Sequence, residues 1–416
     1  MSSTTLPLQA ASRQVWGAVL AMSLCAFALV TSEFLPVSLL TPIATDLALT
    51  EGQAGQAISI SGLFAVVTSL FISSVIRQLD RRPVLLFLTA LMIASGTLVA
   101  FAPNYSTLMV GRAILGIAIG GSWSMSTAVM MRIAPESFVP KAIALIQGGT
   151  ALATAVAAPI GSFMGGLIGW RGAFFCVVPL AALALCWQAF TLPKMPGQNE
   201  SGSALEVFRL LGNAKVSLGM AAVAFLFMGQ FALFTYLRPF LEWVTRVDVS
   251  GLSLLLLIIG MAGLVGTTVI GLVLNKSLYR VLMIIPLLMS GIAAALLVFG
   301  SSIWATAVLL GVWGLIATCA PVGWFTWLSR TLPRDAETGG GLMVAVIQLA
   351  ITLGATVGGL LYDGVGYQAT FIASGVFLLV AAVLALFVSR ADLPPISGLD
   401  PALTAPAAQC IDGKYQ

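Results

Sequence analysis

The 416-residue chain is 59% hydrophobic and 8% charged, with a net charge of +4 and a mean hydropathy of +1.05, so most of it cannot face water; soluble domains carry about a quarter charged residues. In lipid every backbone amide must be bonded within the structure, which leaves helices or a closed barrel, and continuous apolar runs of about 20 residues point to helices. There is no histidine, no Walker-type phosphate loop and no CxxC pair among Cys25, Cys176, Cys186, Cys319 and Cys410, which argues against a metal centre, a resident nucleotide or a disulfide framework.

In chain order, twelve apolar runs are expected, over 15–38, 53–75, 84–102, 106–131, 142–167, 172–192, 216–238, 251–274, 281–299, 303–328, 341–362 and 369–389. Residues 1–14 read as a cytoplasmic N-terminal segment, 15–192 as a first six-helix half and 216–389 as a second. Between them 193–215, which contains PKMPGQNESGS, reads as a cytoplasmic linker, and 390–416 as a disordered cytoplasmic tail. The first run is long enough to stay as a helix rather than leave as a signal peptide. With the N-terminus placed in the cytoplasm, 15 of the 19 Lys and Arg fall on that side; Arg171, Arg238 and Arg246 fall outside and Arg112 lies within a run. That bias sets both termini inside and an even number of crossings.

The two halves echo each other. IALIQGG and IGSFMGGLIGWRGAFF (143–149 and 160–175) end the fifth run, and VAVIQLA and VGGLLYDGVGYQATF (344–350 and 357–371) end the eleventh. Both place Ile-Gln early, small residues along the middle and Gly-aromatic-polar before a Phe, with spacings that differ by four residues. A six-plus-six duplication is an architecture in which substrate binds midway between the halves.

Of the 15 acidic residues only Glu33 lies deep in a run. An ionised group at that depth costs about 2.5–3.5 kcal/mol on insertion scales, so it reads as functional. Glu33 lies about 8 Å and Arg112 about 9 Å below the outer end of their runs at the helical rise. The two are expected to pair or to share a wet cavity, and to form the proton-coupling site. Gly116 and Gly120 follow Arg112 at i+4 and i+8, a small-residue face for close helix approach, and Trp123 falls about 20° from Arg112 around the helix. Run seven gathers Gln230, Phe234, Tyr236 and Arg238. Run ten puts Trp313, Trp324 and Trp327 on one face, with Trp327 read as an interfacial anchor, and run eleven carries the buried amide of Gln348. The expected substrate contacts are Trp123, Gln230, Phe234, Tyr236, Arg238, Trp313, Trp324 and Gln348.

These residues resemble a known family. The RxxxGxxxG that starts at Arg112 resembles the signal of proton-coupled major facilitator transporters, and EFLPVSLLTPIATDL (33–47) resembles the first-helix signature of the twelve-helix drug:proton antiporter family. The finer pattern of EFLPVSLLTP, GQFALFTYLRP (229–239), PVGWFTWLSRTL (321–332) and VAVIQLA is similar to purine ribonucleoside exporters, over about residues 15–390. The resemblance implies an all-α integral membrane protein of the major facilitator fold, twelve transmembrane helices in two pseudo-repeated halves, in a bacterial-type inner membrane. It implies export of purine ribonucleosides such as inosine and guanosine, and of purine analogues, in exchange for protons. The partners implied are a small-molecule substrate, protons and the lipid bilayer, with no cofactor and no nucleic acid, and the chain acting as a monomer.

Two departures from the family pattern stand out. The loop after run two, expected to read GxxxDRxGRR, is SSVIRQLDRR (73–82), with Arg77 in place of the Asp; Asp80, Arg81 and Arg82 are left as the gating-loop candidates. In the fifth run the antiporter motif is reduced to APIGS, with Ala158 where Gly is favoured. The rival readings are a sugar or multidrug exporter of the same family and, from another class, a non-transporting receptor or scaffold. An intramembrane enzyme would need a catalytic dyad or metal cluster that the sequence does not supply.

Overall fold

The computed structural model describes residues 8–76, 78–135, 139–196, 209–332 and 336–390. Arg77, most of the expected linker, the tail from 391 and residues 1–7 lie outside the described residues. Among the described residues the regular elements are all helices: α1 (Leu8–Asp46), α2 (Glu51–Val75), α3 (Arg81–Ala100), α4 (Tyr105–Ile133), α5 (Val139–Phe175), α6 (Val177–Thr191), α7 (Ala214–Thr235), α8 (Leu237–Phe240), a wide π-helical turn Leu241–Thr245, α9 (Val249–Phe299), α10 (Ile303–Ala317), α11 (Cys319–Thr331), α12 (Ala336–Gly364) and α13 (Tyr367–Arg390).

Short polar residues set the starts. Thr50 and Gln53 form a reciprocal capping box on α2, and Asp80, Asn104, Asn213 and Asp248 each accept a backbone N–H at the head of α3, α4, α7 and α9.

Among the described residues eleven helical stretches are long and apolar enough to cross a membrane. One of them, Lys141–Thr191, has 51 residues, about 77 Å at the helical rise, and so serves two crossings of a core about 30 Å thick. Gly169, with φ 76° and ψ 164°, breaks it in a backbone region open only to glycine. The helical stretch α9 likewise holds two spans, 249–270 and 278–299. Twelve crossings result. Gly366, at φ 107°, turns α12 into α13 as Gly169 turns the fifth crossing into the sixth. The Gly-aromatic-polar echo between the halves thus places a glycine of positive φ at the corresponding point of each.

Crossing ten is broken near mid-length, at Thr318, and crossing seven after its first 22 residues, at Tyr236. Pro239 and Pro321 stand three residues after each break, lacking the N–H that would bond the Thr235 and Ala317 carbonyls. The first helix departs most from its expected span, 15–38. It continues to Leu8 and Asp46 and passes through Pro36 and Pro42 without ending, because neighbouring helices take up the carbonyls those prolines release.

Each half has its own apolar core. In the first, Gly116 and Gly120 bring α4 against α2, where an added Cβ would lie 2.3 Å from the Ser61 and Ala65 carbonyl oxygens, which is the close approach expected of that face. The second half packs around Phe240, Trp313, Trp324, Trp327 and Phe371. The halves meet along α2 and α12, along α5 and α9, and where α1 touches α8.

Candidate functional site

Arg112 is fully buried and all its nitrogens are used. Nε donates to the Ala57 carbonyl at 2.8 Å, Nη1 to the Ser32 carbonyl at 2.7 Å, and Nη2 to the Glu33 carbonyl and Ser61 Oγ at 3.1 Å each. None of these bonds reaches the Glu33 carboxylate, so the expected side-chain ion pair is replaced by a clamp on the main chain of α1 and α2. The cause is local: Pro36 has no N–H for Ser32, and the freed carbonyl takes a guanidinium instead.

The Glu33 carboxylate, also buried, turns to the other half. Gln348 Nε2 of α12 donates to Glu33 Oε1 at 3.1 Å, while Gln348 Oε1 is buried without a partner. This bond, from α12 to α1, lies at the deep end of a polar ladder that continues between α12 and α2. Thr352 and Ser59 exchange hydroxyl-to-carbonyl bonds of 3.3 and 3.2 Å, and Thr356 Oγ1 donates to Ser59 Oγ at 2.9 Å. At the far end Asp363 accepts Thr50 Oγ1 at 2.6 Å and the Gly52 amide at 3.0 Å, capping α2 from the opposite half. From Gln348 to Asp363 the ladder runs about 22 Å at the helical rise.

Tyr236 and Arg238, expected at the substrate, close this same end. Tyr236 is wedged between Gly55 and Gly359, stacks on Tyr362 at 5.3 Å and donates to the Ala355 carbonyl at 2.8 Å. Arg238 pairs with Glu242 at 2.7 Å and donates to the Ser38 carbonyl, which Pro42 leaves free. Both polar groups are engaged by protein partners here. Among the described residues, every side-chain hydrogen bond between the halves falls on the part of the bundle running from Glu33 to the turn between α1 and α2.

The remaining candidates divide. Gln230 Oε1 and the indole N–H groups of Trp324 and Trp327 are buried without partners. Trp324 and Trp327 meet edge to face at 5.4 Å, and Phe231 bridges Phe234 to Phe34 of the first half at 6.0 and 5.8 Å. Trp327 is no interfacial anchor: it is fully buried with its ring against Gly219, because this face of α11 looks into the protein rather than the lipid. Trp313 is fully buried in the core of the second half. Trp123 is placed apart from these groups, lining a cavity of about 20 Å³ within the first half with Cys25, Thr89, Ser122 and Gln188, room for one water. Gln188, a buried amide in the sixth run that the sequence reading passed over, accepts Thr89 Oγ1 at 2.8 Å. The ladder residues Ser59, Thr352 and Asp363 were also missed; their signal is the i, i+4, i+8 spacing of Gln348, Thr352 and Thr356, with an acid two turns further on at Asp363.

The loop after α2 belongs to the first half alone. Asp80 caps α3 through the Arg82 amide at 2.9 Å and accepts the Met195 amide at 2.9 Å, and Arg82 Nη2 donates to the Ala189 carbonyl at 2.6 Å. Arg81 Nη1 donates to the Ile76 carbonyl at 3.0 Å. Burial alone would raise the Asp80 carboxyl, but the two N–H bonds and the charges of Arg82 and Lys194 outweigh it and hold the carboxyl below the ordinary carboxylate value.

The sequence model described as Major Facilitator Superfamily matches residues 22–280 and 246–409. The chain is 57% identical over 385 residues, 91% of this chain and 95% of the relative, to a Pseudomonas aeruginosa protein named Transcription regulatory protein OpdE. It is 43% identical over 373 residues, 90% of this chain and 94% of the relative, to the purine ribonucleoside efflux pump NepI of Salmonella enteritidis. Among solved structures it is similar to a bacterial homologue of the human lysosomal transporter Spinster in an inward-facing, unoccupied conformation, with TM-score 0.76 and 16% identity over 94% of this chain and 98% of that one. A D-xylose-proton symporter matches with TM-score 0.72 and 16% identity over 89% and 97%. At those identities the two structures support the fold alone.

Proposed function

We propose, because this chain belongs to the major facilitator superfamily and is a multi-pass membrane transporter, that it exports purine ribonucleosides such as inosine and guanosine in exchange for protons. The observation that carries the substrate is the 43% identity, over nearly the whole of both chains, to purine ribonucleoside efflux pumps. The site is compatible with such a ligand. Aromatic faces can stack on a purine, the unpartnered Gln230 carbonyl and Trp324 N–H offer an acceptor and a donor to ring edges, and each costs about 1–3 kcal/mol while unsatisfied.

In this reading both termini are cytoplasmic, the closed end is the outer one, and Glu33 carries the proton beside Arg112. One charge moved across 100 mV is worth about 2.3 kcal/mol, or roughly fifty-fold accumulation at one proton per neutral substrate. The test is uptake of labelled inosine by inside-out vesicles with an acid interior. Accumulation abolished by a protonophore supports the proposal, and gradient-driven uptake of pentoses or lipophilic cations without uptake of any purine overturns it.

A second reading is favoured by one observation, the 57% identity to a protein named as a transcription regulator. A membrane-embedded regulator would alter transcript levels on deletion while its vesicles move no nucleoside, so the same assay separates the two.

A further inference from the structure

Gln348 makes one good hydrogen bond to Glu33 and leaves its own carbonyl oxygen buried and bare. An amide and a carboxylic acid are complementary in pairs: the amide N–H donates to one acid oxygen and the acid O–H donates to the amide oxygen. A carboxylate can fill only the first half of that pairing and sets a negative charge beside an unpaired carbonyl. A protonated acid supplies the missing donor. We propose that Gln348 reads the protonation of Glu33, so that taking up a proton on Glu33 completes the α1–α12 contact at the deep end of the ladder and locks the outer end shut. This rests on the reading of Glu33 as the coupling acid, and it moves Gln348 from substrate contact to positioning residue.

The geometry separates the variable partner from the constant one. Arg112 faces Glu33 from α4, but its bonds go to α1 and α2, within the same half, and travel with the acid whichever end is open. Gln348 belongs to the other half and leaves when the outer end parts. The other charged groups near this end are Arg238 with Glu242, beyond Ser38, Asp363 at the outermost rung with Glu51 at the start of α2, and the Asp46–Arg171 pair at the end of α1. Tyr236 is bonded to Ala355, while α2, α3 and α5 carry their charged residues only near their ends and α6 carries none. By linkage, a state that holds the proton better is favoured by proton binding to the same degree. A proton arriving from the outside while that end is open therefore drives closure. It departs into the cytoplasm once the opposite opening lets water solvate the acid.

The test uses the full-length chain in lipid nanodiscs, with native cysteines replaced and spin labels at Thr45→Cys and Val365→Cys, at the outer ends of α1 and α12. In this background the label-to-label distance lengthens as pH rises, with a measurable midpoint. Glu33→Gln, whose amide can make both bonds at any pH, stays short throughout. Gln348→Leu shifts the midpoint down by about one pH unit, the equivalent of one lost buried hydrogen bond. Gln348→Met does the same and serves if the leucine variant fails to insert. An unmoved or raised midpoint in a Gln348 variant whose Glu33→Gln counterpart is pH-insensitive overturns the role of Gln348 alone. A pH response that survives Glu33→Gln overturns the coupling acid itself, and this inference with it.

Discussion

Arg112 shows how a buried cation is made tolerable without a counter-charge at contact distance. Its four hydrogen bonds go to three main-chain carbonyls and one hydroxyl, so substitution strands acceptors rather than a carboxylate. Arg112→Lys keeps the charge but cannot span the acceptors as the planar fork does. Arg112→Ala leaves the Ser32 carbonyl with no donor at all. Each unsatisfied buried group costs about 1–3 kcal/mol, so both variants are expected to melt earlier in detergent, alanine more than lysine, and a lysine variant as stable as the native protein would contradict the clamp. For Gln230, replacement by alanine is expected to weaken inosine binding about tenfold, the loss of one polar contact in a dry site, while binding of a lipophilic cation changes far less. Ligand-induced thermal stabilisation of purified protein reads both.

At the scale of the helix, prolines decide where α1 can be held. Pro36 and Pro42 each release the carbonyl four residues back, and those two carbonyls, of Ser32 and Ser38, are the ones that Arg112 and Arg238 take. Pro42→Ala returns an amide to compete for Ser38, so the Arg238 latch should weaken and the end it closes should label faster at Thr45→Cys with a membrane-impermeant thiol reagent supplied to that side. Unchanged labelling would show that the latch does not need the freed carbonyl. The cap of α3 gives a pH-dependent counterpart. The Asp80 carboxyl titrates below its unfolded value, so its contribution is present above the ordinary carboxylate pKa and is lost as pH falls through the lowered one. Asp80→Ala should lower stability at neutral pH by about 1 kcal/mol and make no difference in strong acid; equal losses at both pH values would contradict the cap.

For the whole molecule, the crossings, the duplication and the deep charges were legible from hydropathy and depth. What those two charges touch was not. An inventory of side chains pairs Glu33 with Arg112 because each lacks any other ionised neighbour, yet both found neutral partners, one of them an amide 315 residues away in sequence. The main-chain partners were readable in principle, since a proline in a helix names the carbonyl it frees. The Glu33–Gln348 contact depends on how two halves dock, which no local pattern encodes. Trp327 failed for the same reason: belt tryptophans are recognised by depth, and depth does not say whether a face meets lipid or protein.

Among the described residues, the hydrogen bonds that bind the halves at one end have seven donors, Thr356 sharing its one proton between Gln56 and Ser59, and they set a condition on the rest of the cycle. At about 1 kcal/mol net apiece they hold that end with several kcal/mol, more than the roughly 2.3 kcal/mol that one charge gains across 100 mV. A transporter whose two conformations differed by that much would be stranded in one of them, because a ligand shifts a population only by its difference in affinity for the two states. Turnover therefore requires a counterweight: a comparable set of contacts that forms between the opposite ends of the halves only when the ladder lets go. Variants that trim single rungs, such as Thr352→Val, should then change which end is open at rest before they change the maximal rate of transport.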